Sequence, residues 1–248
     1  MNILILGGTS EASALASLLA ERSIPAIYSY AGRVSTPKPQ PLPTRIGGFG
    51  GVDGLIAYLQ QAGITHLIDA THPFAEQMSR HALNAAAQCN VPLMVFTRPA
   101  WQPQPGDNWT HVASIDEAVN QLDGRPERVM LAIGRQHLEA FAAKPQHHYL
   151  LRLVDHPEQP IPLPHQTITV ERGPFTTEGD LALLKDHAVD RLVCKNAGGN
   201  GAVSKLTAAR ALGLPVVMIE RPTLPSRREY HALDDVLAWL FESTERGV

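Results

Sequence analysis

The chain has 248 residues, 44% of them hydrophobic and 18% charged, which is enough for one large packed domain or two smaller ones. A formal net charge of -3 argues against a polybasic nucleic-acid or membrane footprint, although a local basic pocket stays compatible with it. Two cysteines, Cys89 and Cys194, rule out a disulfide scaffold or a cysteine-rich metal site, and no apolar run reaches the roughly 18 residues of a membrane span.

Met1-Asn2 leads directly into the apolar run Ile3–Leu6, with no basic leader, so the expectation is a cytoplasmic protein. Gly7-Gly8-Thr9-Ser10 follows, then a helical pattern over Glu11–Arg22 with Leu15, Leu18 and Leu19 on one stripe. Strand, tight turn and helix open a parallel α/β unit. Ala26–Tyr30 is the next strand. Pro37, Pro39, Pro41 and Pro43 then make a loop that no central strand tolerates. A second glycine cluster, Gly47-Gly48-Phe49-Gly50-Gly51, precedes a helix over Val52–Ala62. His66–Asp69 is a strand, Ala75–Cys89 a helix, Pro92–Phe96 a strand and Trp109–Val112 a short strand. A helix capped at Ser114 runs to Leu122.

The second half repeats this order. Strands are expected at Val129–Ile133, Tyr149–Val154, Thr167–Glu171, Arg191–Lys195 and Val216–Glu220. Helices are expected at Gln136–Ala142, Glu178–His187, Val203–Leu212 and Asp234–Phe241. The strands are apolar without alternation, as strands covered on both faces should be. The halves also echo one another. Pro92 and Pro215 each precede a strand that ends in Arg-Pro, at Arg98-Pro99 and Arg221-Pro222, and a proline-containing loop, a histidine (His111 or His231) and a helix follow. The expected architecture is α/β: two Rossmann-like parallel-sheet domains, 1–124 and 125–248, flanking a cleft into which the carboxyl ends of both sheets open. Recurrent αβ units that merely look alike are the competing explanation.

Candidate sites lie where strands end. Gly7, Gly8, Thr9, Ser10 and Glu11 join the first strand to the first helix, where glycine admits close approach and helix N–H groups hold an anion. The pattern is neither the dinucleotide G-x-G-x-x-G nor a Walker A loop, so a plain tight turn competes equally. The second strand ends at Ser29, Tyr30 and Arg33 without a carboxylate, which favours a 2'-phosphate and hence NADPH, with NADH the alternative. Gly47, Gly48 and Phe49 suggest a cofactor lying against backbone. Asp69, Thr71 and His72 gather at the end of another strand. Thr71 is assigned to the cofactor and His72 to proton transfer, with a capping cluster as the alternative. Arg98, Arg152, Arg172, Lys195 and Arg221 place cations at or near strand ends, which suggests a substrate with several carboxylates or phosphates. Asn196 and Gly198 extend that substrate set. Histidine spacing gives no metal site, so no protein-bound metal is expected.

Taken in order, Gly7–Glu11, Ala31-Gly32-Arg33, Gly47–Gly51, Asp69–Ala75, Arg98-Pro99-Ala100-Trp101, Arg172-Gly173-Pro174-Phe175 and Lys195–Gly199 resemble the signature of the precorrin-6A reductases, cobalt-precorrin-6A reductases included. Ala197 departs from the serine usual in the family. The resemblance implies NAD(P)H-dependent reduction of one macrocycle double bond in cobalamin biosynthesis, with hydride to C19 and a proton to C18. It implies a tetrapyrrole-derived polycarboxylate macrocycle as partner, transient contact with neighbouring pathway enzymes, and no nucleic acid or membrane. Any cobalt would travel in the substrate. His72 and then Lys195 are the catalytic candidates. Another NADP-dependent reductase of a polyanion, or a non-enzymatic nucleotide-binding module, remains open; a tyrosine-lysine pair at Y-x-x-x-K spacing, which the former would need, is absent.

Overall fold

The computed structural model describes residues 1–32, 37–157 and 159–245. Five strands come first: β1 (Ile3–Leu6), β2 (Ala26–Tyr30), β3 (Thr44–Ile46), β4 (His66–Asp69) and β5 (Leu93–Phe96). Then come β6 (Asn108–Val112), β7 (Arg128–Ala132), β8 (His148–Leu153), β9 (Gln166–Val170), β10 (Arg191–Lys195) and β11 (Pro215–Ile219), and last the two-residue β12 (Glu229–Tyr230). They build two six-stranded sheets, ordered β3-β2-β1-β4-β5-β12 and β9-β8-β7-β10-β11-β6. Every pairing is parallel. Each order is that of a doubly wound fold, with the direction of winding reversing between β1 and β4 and between β7 and β10.

The division of the chain differs from the expected 1–124 and 125–248. One compact unit comprises 1–99 with 222–248, and the other comprises 100–221. Sequence reading assigns a strand to its chain neighbours because connections are usually short. Here the proline-bearing segments after Arg98 and after Arg221 carry the next strand to the other sheet. β6 pairs with β11 over five residues, Asn108 to Val112, and β12 closes the edge beside β5. The Arg-Pro echo therefore marks the two passages between units.

In the first unit α1 (Ser10–Glu21) starts at Thr9, whose hydroxyl accepts from Ala12 N at 3.1 Å. Its stripe Ala12, Leu15, Ala16 and Leu19 is fully buried against one sheet face. The same face takes Val236, Leu237, Trp239 and Leu240 of α7 (Leu233–Glu245). The other face receives Leu55 and Leu59 of α2 (Val52–Gln61) and Ala82, Ala85 and Ala86 of α3 (Glu76–Cys89). β1 is buried on both sides, which explains its unbroken apolar run.

In the second unit α5 (Thr177–Asp186) and α6 (Ser204–Ala211) cover one face. A 3-10 helix at Arg135–Ala143 stands where an α-helix was expected. It packs against α4 (Ile115–Asn120), which Ser114 caps through a 3.1 Å bond from Glu117 N. No helix among the described residues is long and apolar enough to cross a membrane.

Candidate functional site

The first unit gathers polar groups at the carboxyl ends of β1 to β5. Thr9 donates to Ala70 O at 2.8 Å and so ties the β1–α1 turn to the end of β4 across the reversal point. Gly8 has φ +113, and nothing lies within 4 Å of the place a Cβ would take. Gly7 differs: a Cβ there would stand 2.2 Å from the Tyr28 ring. The Tyr28 hydroxyl accepts from Gly8 N at 2.9 Å, and burial raises its pKa. Half of the glycine pair thus serves packing. Ser10 and Glu11 open the helix ahead of the first turn's bond, Ser13 N to Thr9 O. Glu11 pairs with Arg98 at 2.9 Å, which joins a residue expected at the cofactor to one expected at the substrate.

Ser29 is buried, and its hydroxyl accepts from Arg45 at 2.8 Å. Among the described residues, Arg45 is therefore a cation at this end of the sheet, which sequence reading missed because it follows the proline loop in a strand of three residues. Arg45 also donates to Gly47 O at 2.9 Å and Gly48 O at 3.1 Å, and it lies 3.8 Å above the Phe49 ring. Burial lowers its pKa. Phe49 packs edge-on against Tyr58 at 5.3 Å, and its carbonyl crosses Gly54 so closely that a Cβ there would lie 1.7 Å away. Arg33 lies outside the described residues.

Asp69 is buried. One of its oxygens accepts from Thr71 N at 3.1 Å and Thr71 Oγ1 at 2.6 Å, and the other accepts from Ser79 Oγ at 2.5 Å. This is the capping arrangement that sequence reading held as the alternative. His72 is exposed, and its Nδ1 accepts from Phe74 N at 3.2 Å. An amide can only donate, so Nδ1 carries no proton and a neutral ring holds its proton on Nε2.

The second unit contains Arg152, Arg172, Lys195, Asn196, Gly198 and Arg221. The fold attaches most of them to itself. Arg152 pairs with the buried Asp180, which also accepts from Ser204 Oγ at 2.6 Å. Its guanidinium lies 4.2 Å above the Phe175 ring. Exposed Arg172 pairs with Asp155 at 2.6 Å. Asn196 is buried and clasps the Trp101 backbone, accepting from its N at 2.8 Å and donating to its O at 3.1 Å. Trp101 Nε1 donates to Gly199 O at 2.8 Å. Arg221 donates to Asn196 O and Ala197 O at 3.1 and 3.2 Å. Asn196 and Arg221 thus shape the loop after β10, which leaves from half-buried Lys195 at the strand's end and contains Gly198 (φ +72). His111 and Glu220, also missed from sequence, form a 2.5 Å pair beside Asn196. Cys194 is fully buried, with its thiol pushed up to about 11, and is inert packing. Among the described residues no group of three or more His, Cys, Asp or Glu is placed to hold a metal ion.

Two doubly wound parallel sheets, each with its polar loops at the carboxyl ends of the strands, place the chain in the α/β class whose ligand sites form at such ends. The family profile described as Precorrin-6x reductase CbiJ/CobK matches residues 2–241, and the chain belongs to that family. It is 55% identical to a precorrin-6A reductase of Rhodobacter capsulatus over 99% of each chain. It is 33% identical to a cobalt-precorrin-6A reductase of Priestia megaterium over 98% of this chain and 99% of that one. A solved structure titled CobK precorrin-6A reductase superposes with a TM-score of 0.93 at 55% identity, covering 98% of this chain and 97% of the other.

Proposed function

We propose that this chain is a precorrin-6A reductase of cobalamin biosynthesis that uses NADPH. The observation that carries the reading is the likeness, over nearly the whole chain in both sequence and backbone, to proteins named precorrin-6A reductase. Relatives named for the cobalt form are more distant, at 27–33% identity against 55%, which favours the metal-free macrocycle.

The residues of the first unit fit a dinucleotide. Gly8, Gly47 and Gly48 leave open space at the carboxyl ends of the strands, and α1 turns its N-terminus there. Ser10 and Thr9 would stand at a pyrophosphate, with Arg98 offsetting the Glu11 carboxylate. When bound, the reduced nicotinamide supplies the hydride that C19 receives. The chain supplies binding, orientation and exclusion of water. Lys195 and Arg172 would hold macrocycle carboxylates, while Asn196 and Arg221 keep the loop after β10 in shape. His72 would deliver the C18 proton from Nε2. To do so as an imidazolium it must give up the Phe74 N–H bond at Nδ1.

Anaerobic mixing of the purified protein with precorrin-6A and NADPH tests the reading. Nicotinamide absorbance should fall in step with the change in the macrocycle spectrum, and the product should be heavier by one hydride and one proton. An unchanged macrocycle in the presence of bound nucleotide would reduce the protein to a nucleotide-binding module.

A further inference from the structure

We infer that Arg45 is the residue that reads the 2'-phosphate of the nucleotide and so sets the choice between phosphorylated and unphosphorylated cofactor; this rests on the proposed nucleotide site of the first unit. In a doubly wound sheet the adenine ribose meets the end of the second strand, where a carboxylate holds a free 2'-hydroxyl or a nearby arginine accepts a 2'-phosphate. β2 ends in Ser29 and Tyr30, both buried, and no carboxylate follows through Arg33. The register of β3 against β2 sets Arg45 directly beside Ser29. Arg45 thus stands where the discriminating charge is needed, although it is remote from β2 in sequence.

The geometry suits an anion. A guanidinium carries five N–H donors. Among the described residues its bonds go to Ser29, Gly47 and Gly48, using Nη1 twice and Nη2 once, which leaves Nε and the second Nη2 hydrogen for a ligand. Those bonds and the Phe49 face hold the fork in a fixed plane, so little side-chain freedom is lost when a phosphate arrives. Gly47 and Gly48 offer open space beside it, and Gly47 N donates to Tyr30 O at 2.9 Å, pinning the cluster to the end of β2. The glycine cluster then has a definite use: it carries Phe49 under Arg45 and keeps the ligand side of the guanidinium clear.

The test is calorimetric titration of the purified protein with 2'-phospho-ADP-ribose and with ADP-ribose, which needs no macrocycle and no turnover. The wild type should bind the phosphorylated probe at least about ten-fold more tightly, the scale of one charge-assisted contact. Arg45→Gln should shrink that preference to about two-fold while moving ADP-ribose affinity by less than about three-fold. Arg45→Lys keeps the charge without the fork and should recover part of the preference, which also covers the case of a glutamine variant that folds poorly. Equal weakening of both probes would make Arg45 a loop tether only and overturn the inference. So would an Arg45→Gln variant that keeps the preference while Arg33→Gln loses it. A wild type that binds ADP-ribose without preference would overturn the Arg45 assignment and leave the nucleotide site standing. Binding of neither probe would remove both.

Discussion

His72 and Lys195 differ in what the fold has already attached to them. The Phe74 amide occupies Nδ1 of His72, whereas Lys195 ends β10 half-buried beside a loop that Asn196 and Arg221 hold in shape. If His72 is the proton donor, His72→Ala lowers kcat by about 100-fold with little change in KM, and the acidic-to-neutral limb of the pH–rate profile moves. An unchanged limb would transfer the role to ordered water. Lys195→Ala should instead raise KM for the macrocycle and leave NADPH affinity alone, which separate titrations would check. Site legibility follows the same division. Gly7-Gly8, Asp69-Ala70-Thr71-His72 and Lys195-Asn196 were readable as strand-end positions because each lies where an apolar strand ends. What their side chains touch was not. Tyr28 fills the place that makes Gly7 necessary, and Trp101 occupies the amide of Asn196, across 21 and 95 residues of sequence.

Arg152 shows an element-scale constraint read at first as a ligand contact. Its carboxylate partner Asp180 is 2% exposed and lies on α5, where Ser204 of α6 reaches it as well, so the arginine links β8 to both helices of that face. Arg152→Met should cost about 3–5 kcal/mol by stranding a buried carboxylate, and Arg152→Met with Asp180→Leu should cost less than the single change. Urea melts of the single and double variants would show this; additive losses would deny the coupling. β4 carries a second device. His66 is buried edge-on against Trp239 of α7, and burial, with the charged amino terminus nearby, holds its imidazole below the ordinary value of about 6.5. The unfolded chain therefore takes up a proton that the folded chain refuses. Stability is full above about pH 6.5 and falls as pH drops toward the lower folded value, by at most about 1.4 kcal/mol per pH unit for this group. His148, lowered mainly by burial and then by Arg128, acts in the same direction. His66→Gln should flatten the decline in melting temperature between about pH 7.5 and 5.5. Most elements were legible because apolar runs and capped stripes announce them. β3 and β12 were not: three and two residues with partly exposed side chains carry no hydrophobic pattern, and only pairing with a neighbour makes them strands.

At the scale of the molecule, two doubly wound units were legible, but their chain boundaries were not, because sheet membership at the sixth position depends on long-range pairing. The segment 100–221 contains all six strands of the second sheet and is continuous in sequence. It should fold alone, with a single cooperative thermal transition followed by circular dichroism. The segment 125–248 looks equally reasonable from sequence and should not behave so. It lacks β6, which leaves β11 as an exposed edge carrying Val216, Val217, Met218 and Ile219. It also retains α7, whose Val236, Leu237, Trp239 and Leu240 belong in a core with Ile3, Ile5, Leu15 and Leu19 of the first unit. Four large apolar side chains left without that core forfeit about 1.5–3 kcal/mol each and form a sticky patch. The expected contrast is a soluble, cooperatively melting 100–221 fragment beside an aggregating 125–248 fragment. Comparable cooperative melts from both would mean that the second unit can do without β6 and tolerate an unpartnered α7, and that the passages at Arg98-Pro99 and Arg221-Pro222 do not set where a stable unit begins and ends.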